Sequence, residues 1–387
     1  MQKAEYEVIP FPKSNLPAPS RSIEGLKPYD AVSSLDAISR LPAGLSPLKL
    51  DWNESVIPPS PRVVDEITKF LRNGHHINWY PDLGASKLRR TLAAYCGVDS
   101  EDIIVTNGSD DALSLICSSY LDPEDDVVVV WPTYGHFVIF VKGRGVEPRM
   151  AAPEDPFDNP TETIRKTIRQ DTKLVYIASP NNPTGVVTPP EDVQALCREF
   201  PSTLFVVDEA YYEFCRVTSA WLVGKMPNLI VTRTFSKCLS MAGLRIGYLM
   251  ASQEVISNLK RLYNPKSVNV LGQVGAAAAL MDYEFISRYV NDCRAARSWL
   301  VQELAARGAD VRNTQGNYIL VRVKDPAGFC GRLESVGVFV RDRSFIEGFE
   351  GYVRITVGPL DYMKEFVRRI DMLLEKNPDL MAPWSIA

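Results

Sequence analysis

The sequence predicts an α/β protein: a large domain with a mostly parallel seven-stranded sheet, joined to a smaller α+β domain. Three observations predict it. From about residue 60, apolar β-rich runs alternate with helical ones, and strand–helix–strand in succession implies a largely parallel sheet. Several of these runs are continuously apolar rather than alternating, as expected of strands covered on both faces. After about residue 283 the order changes to one long helix followed by mixed strands and helices.

The expected strands of the large domain are Ile103–Thr106, Asp126–Trp131, Val146–Met150, Lys173–Ala178, Leu204–Asp208, Leu229–Thr234 and Ile246–Ala251. Helical patterns fall between most of them, at Pro61–Asn73, Ala85–Cys96, Asp110–Tyr120, Thr161–Arg169 and Pro190–Glu199. One junction differs. A parallel crossover with its helix needs at least about 10–12 residues, and the gap from Thr234 to Ile246 barely supplies them. The last strand is therefore expected to run antiparallel to its neighbour.

The second domain is expected to hold a helix from Tyr283 to Arg307 ended by Gly308, and strands at Tyr318–Val323, Val338–Arg341 and Tyr352–Thr356. Helices are expected at Gly328–Val336 and Asp361–Leu374. The first 50 residues, rich in Pro, Ser and Gly, read as an arm with one short helix around Ser33–Arg40. The division is thus 60–282 for the large domain, with 1–59 and 283–387 forming arm and small domain.

Composition narrows the function classes. Of 387 residues, 45% are apolar and 23% charged, and the net charge is −4, with no basic stripe to suit nucleic acid. No run approaches the ~18 apolar residues of a membrane helix, and the start lacks the pattern of a secretory signal. Seven cysteines stand singly and His totals three, which makes a zinc site improbable and fits a reducing cytoplasm.

Four motifs follow predicted strands. Thr234-Phe235-Ser236-Lys237 leads to Ala242-Gly243-Leu244-Arg245, a lysine flanked by hydroxyls with an arginine eight residues on. Asp208 ends a strand in Val206-Val207-Asp208-Glu209-Ala210-Tyr211, at the edge where open α/β sheets bind ligands. Ser179-Pro180-Asn181-Asn182-Pro183-Thr184-Gly185 follows another strand. Thr106-Asn107-Gly108-Ser109-Asp110 opens a helix, whose free N–H groups attract phosphate. Singly, each has a plain alternative: a surface lysine, an N-cap aspartate, a Pro/Gly turn, a capped helix start. Asp110 also places an acid beside the phosphate site, where it could serve as a cap instead. Together, on four strand ends of one domain, they are far less expected by chance.

In this order the motifs resemble the class I/II aminotransferases of pyridoxal-phosphate (PLP) fold type I, and among them the histidinol-phosphate aminotransferases. The likeness spans roughly residues 26 to 374. It is most specific at Val340-Arg341-Asp342-Arg343-Ser344 and at Gly351-Tyr352-Val353-Arg354-Ile355-Thr356-Val357-Gly358, with further matches at Leu26-Lys27-Pro28-Tyr29 and Asn78-Trp79-Tyr80-Pro81-Asp82.

The resemblance implies roles. Lys237 would carry PLP as a Schiff base and then move protons. Asp208 would face the pyridine nitrogen, Tyr211 and Asn182 the ring's phenolic oxygen, and Tyr134 the ring face. The cofactor phosphate would lie over Gly108, Ser109 and Asp110, with Thr234, Ser236 and Arg245 as further donors. Tyr80 would reach the phosphate of a neighbouring subunit, implying a homodimer with shared sites; a core tyrosine is the alternative. Arg354 would grip the substrate α-carboxylate, and Arg341 and Tyr29 the distal phosphate of histidinol phosphate. A structural ion pair for Arg341 and arm packing for Tyr29 stay open.

The implied reaction moves an amino group between glutamate/2-oxoglutarate and a phosphorylated keto compound, with no metal. A related transaminase with an aromatic or pathway-specific acceptor stays open. So does a PLP decarboxylase or lyase such as threonine-phosphate decarboxylase. Three departures from the family's pattern bear on the substrate: after Asn53-Glu54, Ser55-Val56 replaces the last two residues of Asn-Glu-Asn-Pro, Ser344-Phe345-Ile346-Glu347-Gly348 lacks the Pro-Gly often found after the arginine motif, and the segment between Tyr29 and Leu50 is longer than usual. Cys238, next to the lysine, reads as a small filler rather than a nucleophile.

Overall fold

A computed structural model describes residues 17–27, 34–74 and 77–382. The chain begins with α1 (Leu35–Ser39) and β1 (Leu48–Lys49). Next comes α2 (Pro61–Arg72), which the Ser60 side chain caps by accepting from the Arg62 N–H, with Pro61 in the first turn where its missing N–H costs nothing. Helix α3 (Ser86–Cys96) stops at Gly97, whose φ of 70° ends it in the left-handed region.

The layered core follows: β2 (Ile103–Thr106), α4 (Ser109–Tyr120), β3 (Asp126–Val130), α5 (Gly135–Gly143), β4 (Arg149–Ala151), α6 (Thr161–Thr167), β5 (Thr172–Ala178) and α7 (Pro190–Glu199). Then come β6 (Leu204–Asp208), α8 (Tyr212–Cys215), β7 (Leu229–Thr234), β8 (Gly247–Ala251), α9 (Gln253–Leu259) and α10 (Val270–Leu280). The seven strands lie in the order β2-β8-β7-β6-β5-β3-β4. All run parallel except β8, which pairs antiparallel with both β7 and β2 as its short connection requires.

Both faces of this sheet are covered. Val105, Val128, Val130, Val175, Ile177, Phe205 and Val207 belong to one apolar cluster, whereas Ile104, Val127, Val129, Leu174, Tyr176, Leu204 and Val206 belong to another. Alternate residues of one strand thus feed opposite cores, which is why these strands read as unbroken apolar runs.

The remaining elements are α11 (Tyr283–Ala306), β9 (Asp310–Arg312), β10 (Tyr318–Arg322), α12 (Pro326–Ser335), β11 (Val338–Phe339), β12 (Arg341–Asp342), β13 (Tyr352–Thr356) and α13 (Leu360–Leu374). An antiparallel sheet ordered β12-β13-β10-β9 shares a third core with α11, α12 and α13. The N-terminal segment completes it: β1 pairs parallel with β11, and Leu48 and Leu50 are buried there.

Several expectations need correcting. The strand expected at Val338–Arg341 is two, because β11 pairs with β1 and β12 turns to pair with β13. The strand expected at Val146–Met150 starts later, at Arg149. Helices α5, α8 and α9 were not anticipated, and of α10 only the short apolar run Ala276–Leu280 reads as a core helix in the sequence. α5 and α10 are apolar nearly all round and so carry no amphipathic stripe. No described helix is long and apolar enough to cross a membrane.

One contact fixes how β8 meets the start of α4. A Cβ at Gly247 would lie 2.4 Å from the Gly108 carbonyl carbon and from the Ser109 nitrogen, both backbone. Gly247→Ala is expected to cost ~1–3 kcal/mol of overpacking, read as a lower urea midpoint. An unchanged midpoint would show that this junction yields.

Candidate active site

Parallel strands end on one edge of the sheet, and there a cavity of about 450 Å³ opens. Ser109, Asp110, Tyr134, Asn182, Asp208, Tyr211, Thr234, Ser236, Lys237, Arg245, Arg341 and Arg354 all line it. Twelve side chains expected to act together are therefore brought together.

The cradle at one end is built from β2, β7 and β8. Helix α4 starts directly after Gly108, whose φ is +89°. A Cβ there would fall 2.7 Å from Arg245 Nη2, so the glycine makes room for the guanidinium. Thr234 Oγ1 donates to Ser236 Oγ at 3.0 Å, and Arg245 Nη1 to the same oxygen at 3.4 Å. The acid in this cradle has a use: Tyr134 donates its hydroxyl to Asp110 Oδ1 at 2.8 Å, and Arg245 Nη2 reaches Asp110 Oδ2 at 3.3 Å. The loop N–H of Asn107 is capped instead by Asp111, at 2.8 Å.

Asp208 sits at the end of β6, only 5% exposed. Its carboxylate accepts from the Tyr176 hydroxyl at 2.9 Å and from Thr232 Oγ1 at 3.0 Å. Burial nevertheless pushes its pKa up to about 6, because two neutral donors do not replace water around a charge.

Lys237 donates from Nζ to the Trp52 carbonyl at 3.0 Å. Burial, and then the Arg354 charge, bring its pKa down to about 8. Arg354, on β13, is 3% exposed. It donates to Asn182 Oδ1 at 2.7 Å and to the Asp51 carbonyl at 2.6 Å. Among the described residues no carboxylate lies within ion-pair distance of it, and its Nε is buried with no hydrogen-bond partner. Burial lowers its pKa. Arg341 stands directly across from Arg354 in the β12–β13 register, which points both side chains to one face.

Tyr80 is not part of this cavity; its ring is 79% exposed, with the Lys266 ammonium 5.4 Å from its centroid. It is thus no core tyrosine. Tyr29 lies outside the described residues. Cys238 is 1% exposed and burial holds its thiol well above the usual range, which suits packing and not nucleophilic attack.

Sequence reasoning missed Asn53, Tyr176, Thr232, His136 and Arg343. His136 and Arg343 line the cavity. Arg343 was detectable, since it follows Arg341 at the two-residue period of a strand. Tyr176 carries a polar tip in an otherwise apolar strand. Asn53 stood in the Asn53-Glu54 motif, but its role gave no signal there, because its partners come from distant parts of the chain.

Comparison with known proteins accords with this geometry. The family profile for aminotransferase class I and II matches residues 46–370. A dihydroxyacetone phosphate transaminase of Campylobacter jejuni is 36% identical over 85% of this chain and 91% of its own. A histidinol-phosphate aminotransferase of Carboxydothermus hydrogenoformans is 31% identical over 92% and 99%. Among solved structures, histidinol-phosphate aminotransferase from Sinorhizobium meliloti in complex with pyridoxal-5′-phosphate superposes with a TM-score of 0.81 at 24% identity, covering 94% of this chain and 99% of that one.

The residues present suit that cofactor. A hydroxyl-and-guanidinium cradle at a helix N-terminus takes a phosphate, a buried carboxylate suits a ring N–H, and a half-buried amine of lowered pKa suits a carbonyl carbon. The chain belongs to the class I and II aminotransferases and is a PLP-dependent enzyme of fold type I, close to the histidinol-phosphate aminotransferases.

Proposed function

We propose that this enzyme exchanges an amino group between glutamate/2-oxoglutarate and a phosphorylated keto compound, with histidinol phosphate and imidazole acetol phosphate as the first pair to test. The observation that carries this reading is the pairing of Arg341 with Arg354. Two cations directly opposite on neighbouring strands repel, and Arg343 adds a third to the same cavity. Anions brought by turns to this wall, the carboxylates of glutamate in one half-reaction and the phosphate ester of the keto compound in the other, would relieve that repulsion.

The geometry supports the following roles. Gly108, Ser109, Asp110, Thr234, Ser236 and Arg245 would hold the cofactor phosphate, and Tyr134 the ring face. Asp208 would meet the ring nitrogen, and a charged donor there would keep its carboxylate ionised. Asn182 turns its oxygen to Arg354, so its NH₂ is left for the ring oxygen, beside the Tyr211 hydroxyl. Bound there, PLP supplies the electron sink. Lys237, once substrate has taken its place, would carry the proton between the substrate Cα and the cofactor carbon. Arg354 would bind the α-carboxylate and Arg341 the distal phosphate, with Tyr29 from the arm. We also propose that residues 60–282 form the cofactor domain, and that 1–59 with 283–387 form the smaller one.

A second acceptor is favoured by one observation: the 36% identical relative is named a dihydroxyacetone phosphate transaminase. That molecule shares the phosphate ester and lacks the imidazole. Purified protein with PLP should lose its visible absorbance on addition of glutamate, and Lys237→Ala should not respond. Imidazole acetol phosphate and dihydroxyacetone phosphate should then be compared with their phosphate-free counterparts. Arg341→Ala is expected to raise KM for the phosphorylated acceptor by about 10- to 100-fold, the worth of a charged hydrogen-bonded contact. Equal use of acceptors with and without phosphate would sink the reading. Carbon dioxide release without keto product would point to a decarboxylase.

The pH dependence of the cofactor-free protein tests Asp208. Its folded pKa is about 6 against an ordinary 3.8, so between these values the folded state binds more protons than the unfolded. Its contribution to stability is full below the ordinary value and is lost as pH rises through about 6. The thermal midpoint of the cofactor-free protein should fall over that window, and less steeply in Asp208→Asn. Identical slopes would exclude Asp208 as the source.

We propose a homodimer in which Tyr80 reaches the cofactor phosphate of the second copy. Its support is an exposed apolar set, Ile77, Trp79, Tyr80 and Leu83, each more than half exposed. Sedimentation should show twice the chain mass, and Tyr80→Phe should weaken PLP binding. A monomer with full PLP affinity would refute this.

A further inference from the structure

A tyrosine hydroxyl is both donor and acceptor, and the reading above requires Tyr211 to donate into the cavity. The structure holds a group that settles this direction. Asn53 Nδ2 donates to Tyr211 Oη at 3.0 Å, from a residue 158 positions earlier in the chain. With its acceptor side occupied by Asn53, the Tyr211 hydroxyl has its own proton left for the cavity. Burial holds its pKa above the ordinary value, so the proton is there to give.

The direction of the Asn53 amide is itself determined. Asn53 is 0% exposed, and so is Thr356. Thr356 Oγ1 accepts from the Asn53 backbone N–H at 3.0 Å and donates to Asn53 Oδ1 at 3.2 Å. Turning the amide over would put two donors on Thr356 Oγ1. It would also break the hydrogen bond that the buried threonine hydroxyl donates to Asn53 Oδ1, at a cost of about 1–3 kcal/mol. The amide therefore keeps its NH₂ toward Tyr211.

The backbone around Asn53 is equally constrained. Four consecutive carbonyls accept hydrogen bonds: Leu50 from the Thr356 N–H, Asp51 from Arg354, Trp52 from Lys237, and Asn53 from Asn317 Nδ2. Asn53 itself has φ +55°, a left-handed conformation that asparagine tolerates better than most side chains.

We infer that Asn53 is a positioning residue, which through Tyr211 sets the hydrogen bond to the cofactor's ring oxygen and so the pH at which the lysine-bound cofactor titrates. This rests on the proposed placement of Tyr211 beside that oxygen. A donor there stabilises the ionised ring oxygen, so a misdirected hydroxyl makes the bound cofactor hold its proton to higher pH.

The test is a spectrophotometric pH titration of the PLP-loaded protein. Asn53→Gly keeps the backbone conformation accessible and removes the donor. It is expected to raise the spectral pKa by about 0.5–1 unit, the worth of one hydrogen bond. Tyr211→Phe should shift the pKa in the same direction, and in that background Asn53→Gly should add nothing further. If Tyr211→Phe leaves the pKa unchanged, the placement of Tyr211 is what fails. If Tyr211→Phe shifts it and Asn53→Gly does not, or if Asn53→Gly shifts it equally without the Tyr211 hydroxyl, the inference on Asn53 is overturned. Should Asn53→Gly not fold, Thr356→Val, which removes the hydroxyl that orients the amide, is titrated instead, with the same outcomes deciding.

Discussion

Two cations share the buried wall of this site, and much of the rest follows from keeping them there. Lys237 and Arg354 sit close enough that the guanidinium lowers the amine's pKa. Burying charge is costly unless it is hydrogen-bonded. Each is tied to a neutral backbone carbonyl, Trp52 for the lysine and Asp51 for the arginine. The Asp51 carboxylate, on the residue whose carbonyl holds the arginine, pairs with Lys49 instead, at 3.0 Å. A carboxylate on either cation would quench the potential that draws an anion. Carbonyls hold the geometry and leave that potential in place.

The same economy runs through the polar groups around the cavity. Asn182 is turned by Arg354, Asp208 is held by Tyr176 and Thr232, and Asp110 is shared by Tyr134 and Arg245. In each case the orienting group comes from a different segment from the one it orients. A second ion pair secures the strands from behind. Glu209 and Arg233 follow Asp208 and Thr232, so the strand alternation sends them to the opposite side, where they meet at 2.9 Å, each 2% exposed. The Arg233 guanidinium also lies 3.6 Å from the centroid of the Tyr212 ring. A buried pair of this kind is weak evidence for stability in itself, but it joins the ends of β6 and β7 where Asp208 and Thr234 emerge.

Legibility in the sequence tracked distance along the chain. Asp208, Thr234, Ser236 and Lys237 stand on or next to apolar runs, so finding the strand found the residue. The antiparallel β8 was legible because a short connection excludes a crossover. Helix α10 was half seen, since a helix apolar all round looks like any apolar run. The split of 338–342 into β11 and β12 could not be seen, because it depends on β1, nearly three hundred residues away, claiming one half. Asn53 was visible only as part of a motif whose purpose its own neighbours do not reveal.

Local chemistry, then, was determined by the sequence itself: which strands are buried on both faces, where the amphipathic helices lie, and which amine, carboxylates and guanidinium groups stand at strand ends. These depend on residue type and short-range spacing, and both are printed in the chain. Only the tertiary structure decided which hydrogen bonds those groups make. It set Arg354 against Asn182 and Asp51, gave Lys237 the Trp52 carbonyl, and brought Asn53 to Tyr211 with Thr356 holding its amide. Such contacts join segments more than 150 residues apart. Their directions depend on satisfying every buried donor and acceptor at once, a condition that exists only after the chain has folded.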